Sequence, residues 1–219
     1  MPKPAFSRLS GKKQDAFFDL ALEAFAYQPY SQASLSALLK KAGMAKGTFY
    51  QYFTGKLDLY DYLVNNVFTL KQFYLKSHMP ANPDDFFHVF EALLRLETGF
   101  RLQHPSFHSL LLFATDQRLS PLSPQRIEEI KNHHQKTLHP LMVRHQLKGS
   151  IATDADASLV IFFCQVMMDE FYRYVLLQMQ TKKEASSEAS ESITSQEIAN
   201  ASRRFMKLFR RGISGQHLR

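Results

Sequence analysis

Cysteine is almost absent from this chain of 219 residues: Cys164 stands alone, so no disulfide can close within it. Long apolar runs are missing too. The longest near-continuous one, Ser158 to Met168, is too short to cross a bilayer, and the opening MPKPAFSRLS lacks the apolar stretch of a secretory signal. Together these absences predict a reducing, cytoplasmic setting and no membrane partner. There is no glycine-rich phosphate loop, no nucleophile elbow and no carboxylate pair with an evident reason for a shifted pKa, so neither a catalytic residue nor a cofactor is expected. Acidic charge is short as well, with 20 Asp and Glu against 27 Lys and Arg, and the net charge of +7 favours a polyanionic partner. Eight basic residues face four acidic ones between Met1 and Tyr60, which places +4 of that excess in the first quarter.

What is present is helical spacing, on a chain whose 45% hydrophobic content supplies a real core. No segment shows sustained strand-like alternation, no internal repeat is evident, and the predicted fold is all-α. Phe17, Leu20, Ala21, Ala24 and Phe25 form a first stripe, ended near Pro29. Ser34 is placed to cap a second short helix bearing Leu35, Leu38 and Leu39, which Gly43 ends, and a third starts near Lys46 and buries Phe49 and Phe53. Two helices joined by a tight glycine-containing turn make a helix-turn-helix. A longer helix from Lys56, carrying Leu59, Leu63, Val67 and Leu70, stops before Pro80. Asn82 as cap, Pro83 and the acids Asp84 and Asp85 mark the next start, and Phe86, Phe87, Phe90, Leu93, Leu94 and Phe100 make that helix central. His104-Pro105 and Ser123-Pro124 open two more, the second kinked or ended by Pro140, and Thr153 or Asp154 begins one that is apolar nearly all round. The polar run 181–195 reads as a mobile connection, after which Thr194 and Glu197 form a capping box for a last helix lined by Ile198, Ala201, Phe205, Leu208 and Phe209.

The stretch AGMAKGTFYQYFTGKLDLYDYL, Ala42 to Leu63, concentrates polar groups around two aromatics that need burial. In a helix-turn-helix the second helix enters the DNA major groove. Lys46 suits guanine acceptors, Gly47 allows close approach of the backbone, and Thr48 offers a hydroxyl and a methyl group. Tyr50, Gln51 and Tyr52 suit phosphate oxygens, and Lys56 and Ser34 sit at helix starts where an anion is favoured. The same tyrosines and lysines also fit half-buried aromatics beside a solvated face.

Met44-Ala45-Lys46-Gly47-Thr48-Phe49-Tyr50-Gln51-Tyr52-Phe53-Thr54-Gly55-Lys56 resembles the recognition tract of the TetR (tetracycline repressor-like) family of bacterial transcription regulators. Two positions depart from its pattern: Ala45 stands where a capping hydroxyl is usual, and Leu57 where an acid usually follows the lysine. The resemblance implies a helix-turn-helix DNA-binding domain over residues 1–55 and a helical ligand-binding and dimerisation domain over 56–219. It further implies a homodimer on a near-palindromic double-stranded DNA operator, most often as a repressor, released when a small molecule binds.

Leu159, Phe163 and Met167, with Phe205 and Phe209, offer more apolar surface than one small bundle covers, and are the candidate dimer residues; a monomeric core is the alternative. Phe86 to Tyr174 is rich in Phe and Met, which suits an apolar or amphipathic effector and equally a plain core. Phe90, Glu97, Arg101, His104 and His108 are the candidate effector residues. His104 and His108, and the group His133, His134 and His139, raise metal binding. Pro105 makes His104 a cap, and the later three lack the spacing that puts pairs on one helix face, so no metal site is expected. Cys164 reads as a small buried hydrophobe. A helical metal-dependent hydrolase using the histidines, or a module that docks another protein through its basic head, are the competing functions.

Overall fold

The computed structural model describes residues 2–80, 85–185 and 193–213. These form eleven α-helices, with no sheet among the described residues: α1 (Pro4–Ser7), α2 (Gly11–Ala26), α3 (Leu35–Lys41), α4 (Lys46–Tyr52), α5 (Lys56–His78), α6 (Phe86–Gln103), α7 (Pro105–Thr115), α8 (Pro124–Lys131), α9 (Gln135–Leu147), α10 (Ala157–Ala185) and α11 (Ser195–Ile213). No described helix is long and apolar enough to cross a membrane. The chain divides into two compact units, Met1–Phe73 with His104–Lys131, and Tyr74–Gln103 with Asn132–Arg219.

The first unit is built on aromatic rings. Phe6 from α1 meets Phe17, Tyr52, Phe53 and Tyr62 with ring centroids 5.0–6.1 Å away, and Phe49 stacks on Phe53 at 5.6 Å. Phe6, Phe25, Phe49, Phe53 and Tyr60 are all buried, and a buried Phe contributes roughly 1.5–3 kcal/mol. Helix α1 is only one turn, yet Lys3 N–H donates to the Tyr52 carbonyl at 2.7 Å, so backbone and ring together tie the N-terminal segment to α4. Helices α7 and α8 belong to this unit as well. Phe107 sits edge-on to Phe18 at 6.4 Å, Leu110 and Ala114 are buried, and Arg126 donates to Asn65 Oδ1 at 3.0 Å. On α5 Leu59, Leu63 and Val67 are buried as their spacing predicts, but Leu70 faces outward.

The second unit is centred on α6, whose Phe86, Phe87, Phe90, Leu93, Leu94 and Phe100 are all buried. Its start differs from the expected one. Asp85 is the cap: its Oδ1 accepts from the N–H groups of Phe87 at 2.8 Å and His88 at 3.3 Å, while Asn82, Pro83 and Asp84 lie outside the described residues. Buried His145 from α9 takes a further N–H, accepting from Phe86 at 3.1 Å through Nε2, which leaves Nδ1 to donate to Ser150 Oγ at 2.7 Å. Helix α10 likewise starts later than Thr153 or Asp154: Asp156 Oδ1 accepts from Ser158 and Leu159. The stretch after Ser123 breaks at Asn132–His134 rather than at Pro140, which lies inside α9. The capping box holds, with Glu197 N–H donating to Thr194 Oγ1 at 3.2 Å and Thr194 N–H to Glu197 Oε2 at 2.8 Å. Leu208, expected to line α11 inward, is exposed. Helix α10 runs to Ala185, so the polar run 181–195 starts within a helix, and its part 186–192 lies outside the described residues. Cys164 is fully buried, and burial pushes its thiol up to about 12, which removes thiolate chemistry.

Because Phe6 joins four other rings, Phe6→Ala is expected to cost about 3–5 kcal/mol in urea unfolding of the full chain. A loss below about 1 kcal/mol would show that α1 does not hold the first unit together.

Candidate nucleic-acid interface and sensor region

Helix α3 starts at Ser34, whose Oγ accepts from Ala37 N–H at 3.2 Å, and buries Leu38 and Leu39. Its end is shaped by Gly43 at φ 59°, a left-handed conformation that glycine takes without steric cost. The chain then turns into α4, whose cap residue Ala45 makes no side-chain hydrogen bond. Helix α4 is seven residues long, too short to persist unaided, and is held by Phe49 beneath it and Phe53 at its end, both fully buried. Their burial turns the intervening residues outward: Lys46, Gly47, Tyr50 and Gln51 are exposed and Thr48 is half-buried. A Cβ placed on Gly47 would meet nothing within 4 Å, so the chain's own packing does not require glycine there.

Besides the capping Ser34, two more of the predicted DNA contacts are engaged within the protein. The Tyr52 ring packs on Phe6, and Lys56 Nζ donates to the Tyr30 carbonyl at 2.5 Å while lying 4.2 Å above the Tyr30 ring. Desolvation there lowers the Lys56 pKa. Lys56 thus ties the start of α5 to the loop before α3. Lys3, which carries no signal in the sequence beyond its charge, donates to the Tyr50 carbonyl at 2.8 Å and adds a cation beside α4. Lys41, close in sequence, is paired with Glu23 at 2.6 Å.

The five candidate effector residues do not form one group. Phe90 is fully buried against Phe205 and Phe209. His104 and His108 belong to the first unit, where His104 stacks on Phe107 at 5.1 Å. Glu97 and Arg101 do meet, one turn apart on α6, with Arg101 Nε 3.5 Å from Glu97 Oε2. Around them the second unit gathers groups that sequence spacing does not connect. Arg101 Nη2 reaches Asp169 Oδ1 at 2.7 Å, its guanidinium lies 5.3 Å from the Tyr172 ring, and His134 Nε2 lies 2.9 Å from Glu97 Oε1. Glu97 is 1% exposed, and a carboxylate this deep requires such partners. Separately, an open groove of about 540 Å³ runs beside Tyr174, Gln178, Ile193, Glu197, Arg203 and Arg204, and none of the five candidates lines it.

The candidate dimer residues also divide. Leu159 and Phe163 are exposed, Met167 and Phe205 are partly buried against the core, and Phe209 is buried. Phe162, Val166, Tyr174 and Leu177 are exposed beside Leu159 and Phe163, and their spacing draws a helical stripe along α10.

The family model of the bacterial regulatory proteins of the tetR family matches residues 17–63. An uncharacterised HTH-type transcriptional regulator of Bacillus subtilis (strain 168), YvdT, is 33% identical over 94 residues, and that match spans 43% of this chain and 45%, less than half, of YvdT. Among solved structures, a TetR family transcriptional regulator from Chloroflexus aurantiacus J-10-FL superposes with a TM-score of 0.78 at 23% identity, over 98% of this chain and 99% of that one. The fatty acid degradation regulator FadR from Bacillus halodurans superposes with a TM-score of 0.59 at 22% identity, over 92% and 96% of the two chains.

Restoring the absent cap with Ala45→Ser is expected to stabilise the chain by about 0.5–1 kcal/mol, measured by urea unfolding. No gain, or a loss, would mean that the start of α4 is set by tertiary contacts alone.

Proposed function

We infer that the chain, whose residues 17–63 match the tetR family model and which joins a helix-turn-helix to a larger helical region, is a transcriptional regulator of that family and binds operator DNA through α4 as a homodimer. The observation that carries this reading is the exposed face of α4. Lys46, Gly47, Tyr50 and Gln51 point outward from a helix whose only fully buried residue is Phe49, and Lys3 lies beside them. Residues 1–55 serve as the reading head and 56–219 as the sensing and pairing region. Lys46 and Thr48 read base edges, Gly47 gives the backbone close access, and Ser34, Tyr50, Gln51, Tyr52 and Lys56 address phosphates. For Tyr52 and Lys56 this role adds to their contacts within the protein.

The regulator acts as a repressor in the cytoplasm and releases a near-palindromic operator when an apolar or amphipathic molecule binds the second unit. The dense Phe and Leu core around α6 supports such an effector, as does the description of the Bacillus halodurans protein as a fatty acid degradation regulator. Glu97 and Arg101 are the polar groups that the effector meets. Buried polar atoms without a hydrogen-bond partner in the second unit, Thr98 Oγ1 and Gln165 Nε2, also favour an added ligand.

Pairing uses the α10 stripe. Leu159, Phe162 and Leu177 are 64%, 59% and 52% exposed in the single chain, parts of an apolar stripe, interrupted by the exposed Glu170–Arg173 pair, that a second copy would cover.

Binding to duplex DNA from upstream of the chain's own gene, compared with a random duplex across a range of salt, tests the head. Tight, salt-dependent and selective binding is expected. Tyr50→Ala is expected to weaken binding to all duplexes alike, Lys46→Ala to cost about 1–3 kcal/mol at one base pair, and Gly47→Ala to leave stability unharmed while weakening binding. Unchanged DNA affinity in all three variants would remove α4 from the interface. In sedimentation equilibrium, the double substitution Phe162→Glu with Phe163→Glu is expected to give a folded monomer, and a persisting dimer would move the interface off α10.

A further inference from the structure

We propose that Glu97, His133 and His134 form a binding site for a first-row transition-metal dication of the Zn²⁺, Co²⁺ or Ni²⁺ type. The break between α8 and α9 at Asn132–His134 places two adjacent histidines opposite Glu97 on α6, and one potential ligand atom from each of the three lies within 4.8 Å of the others. Around a tetrahedral ion with bonds of about 2.0–2.1 Å, neighbouring donors stand about 3.3 Å apart. His134 Nε2 and Glu97 Oε1 are at 2.9 Å and need to part only slightly, while the imidazole of His133, half-buried and 3.7 Å centroid to centroid from His134, has to approach by up to about 1.5 Å.

The donor set selects the class of ion. Two imidazoles and one carboxylate suit borderline cations, whereas Ca²⁺ and Mg²⁺ demand more oxygen donors than the cluster supplies. Charge is compatible as well. Arg101 is held more closely by Asp169, at 2.7 Å, than by Glu97, at 3.5 Å. Burial strengthens the attraction by excluding water, and three protein ligands leave a fourth position for water or for an anionic oxygen of a small molecule. On binding, the proton between His134 Nε2 and Glu97 Oε1 must leave that line, either to His134 Nδ1 or to solvent, which frees the nitrogen lone pair for the metal.

Spacing along the sequence points away from this site because His133 and His134 are adjacent and their third partner lies on another helix. Any effect of the ion on DNA binding rests on the second unit being the sensing half. Occupancy does not, and it is measured without DNA, so the two readings fail separately.

The test is equilibrium dialysis of the untagged, chelator-treated full chain against Zn²⁺ and Co²⁺, with thermal unfolding alongside. About one ion per chain is expected, with visible Co²⁺ absorption and a raised unfolding midpoint. His133→Gln, at a half-buried position, and Glu97→Gln are each expected to weaken binding at least about a hundredfold, while exposed His139→Gln leaves it intact. Absence of binding by the parent chain, retention in His133→Gln, or loss in His139→Gln would each overturn the proposal; His133→Gln decides the matter if Glu97→Gln does not fold.

Discussion

The packing of Phe49 and Phe53 into the ring cluster around Phe6 is the constraint on which the helix-turn-helix depends. Helix α4 has seven residues and no side-chain cap, so neither propensity nor capping would keep it formed in isolation. Tertiary burial does so. With Phe49 and Phe53 at 0% exposure, rotating α4 would drag two aromatic rings into water at a cost of several kcal/mol, and that same penalty fixes which side chains stand outside. The outward set of Lys46, Tyr50 and Gln51 is therefore a consequence of the inward set. Lys3 and Lys56 add to the fixation from either side, through the carbonyls of Tyr50 and Tyr30.

The second unit is organised on a different principle, a buried central helix. Helix α6 presents apolar residues on several faces and meets α9, α10 and α11. Its one deeply buried charge, Glu97, forces a local answer to the cost of desolvation, and that answer is the group formed with Arg101 and His134. Helix α10 divides its surface between Ile161, Cys164, Met168 and Phe171, which face the core, and the outward stripe available to a second copy.

Much of this was legible in the sequence wherever local rules decide. The Ser34 cap, the Gly43 turn, the Thr194–Glu197 capping box and the burial of Phe49 and Phe53 all follow from residue type and spacing, and the structure has them. Helix starts with several adjacent candidates were less legible. Asp85 and Asp156 cap their helices, while Asn82, Thr153 and Asp154 were equally good by composition. Proline misled at Pro140, because α9 tolerates one lost backbone hydrogen bond and the break falls instead at Asn132–His134. Groups assembled from distant segments were not legible at all. Nothing in spacing joins Glu97 to His134, Arg101 to Asp169, or His145 to the start of α6, and nothing separates His104 and His108 from Glu97 and Arg101.

The central claim, that two copies of α4 read two half-sites of one DNA duplex, is tested most directly by selection. The purified chain would be offered a random-sequence duplex library, and the bound fraction enriched and sequenced. Enrichment of an inverted repeat is expected, with half-site centres about one helical turn, roughly 10 base pairs, or a multiple of it apart. Enrichment of a single unrepeated half-site, or no enrichment over the starting library at low salt, would contradict it.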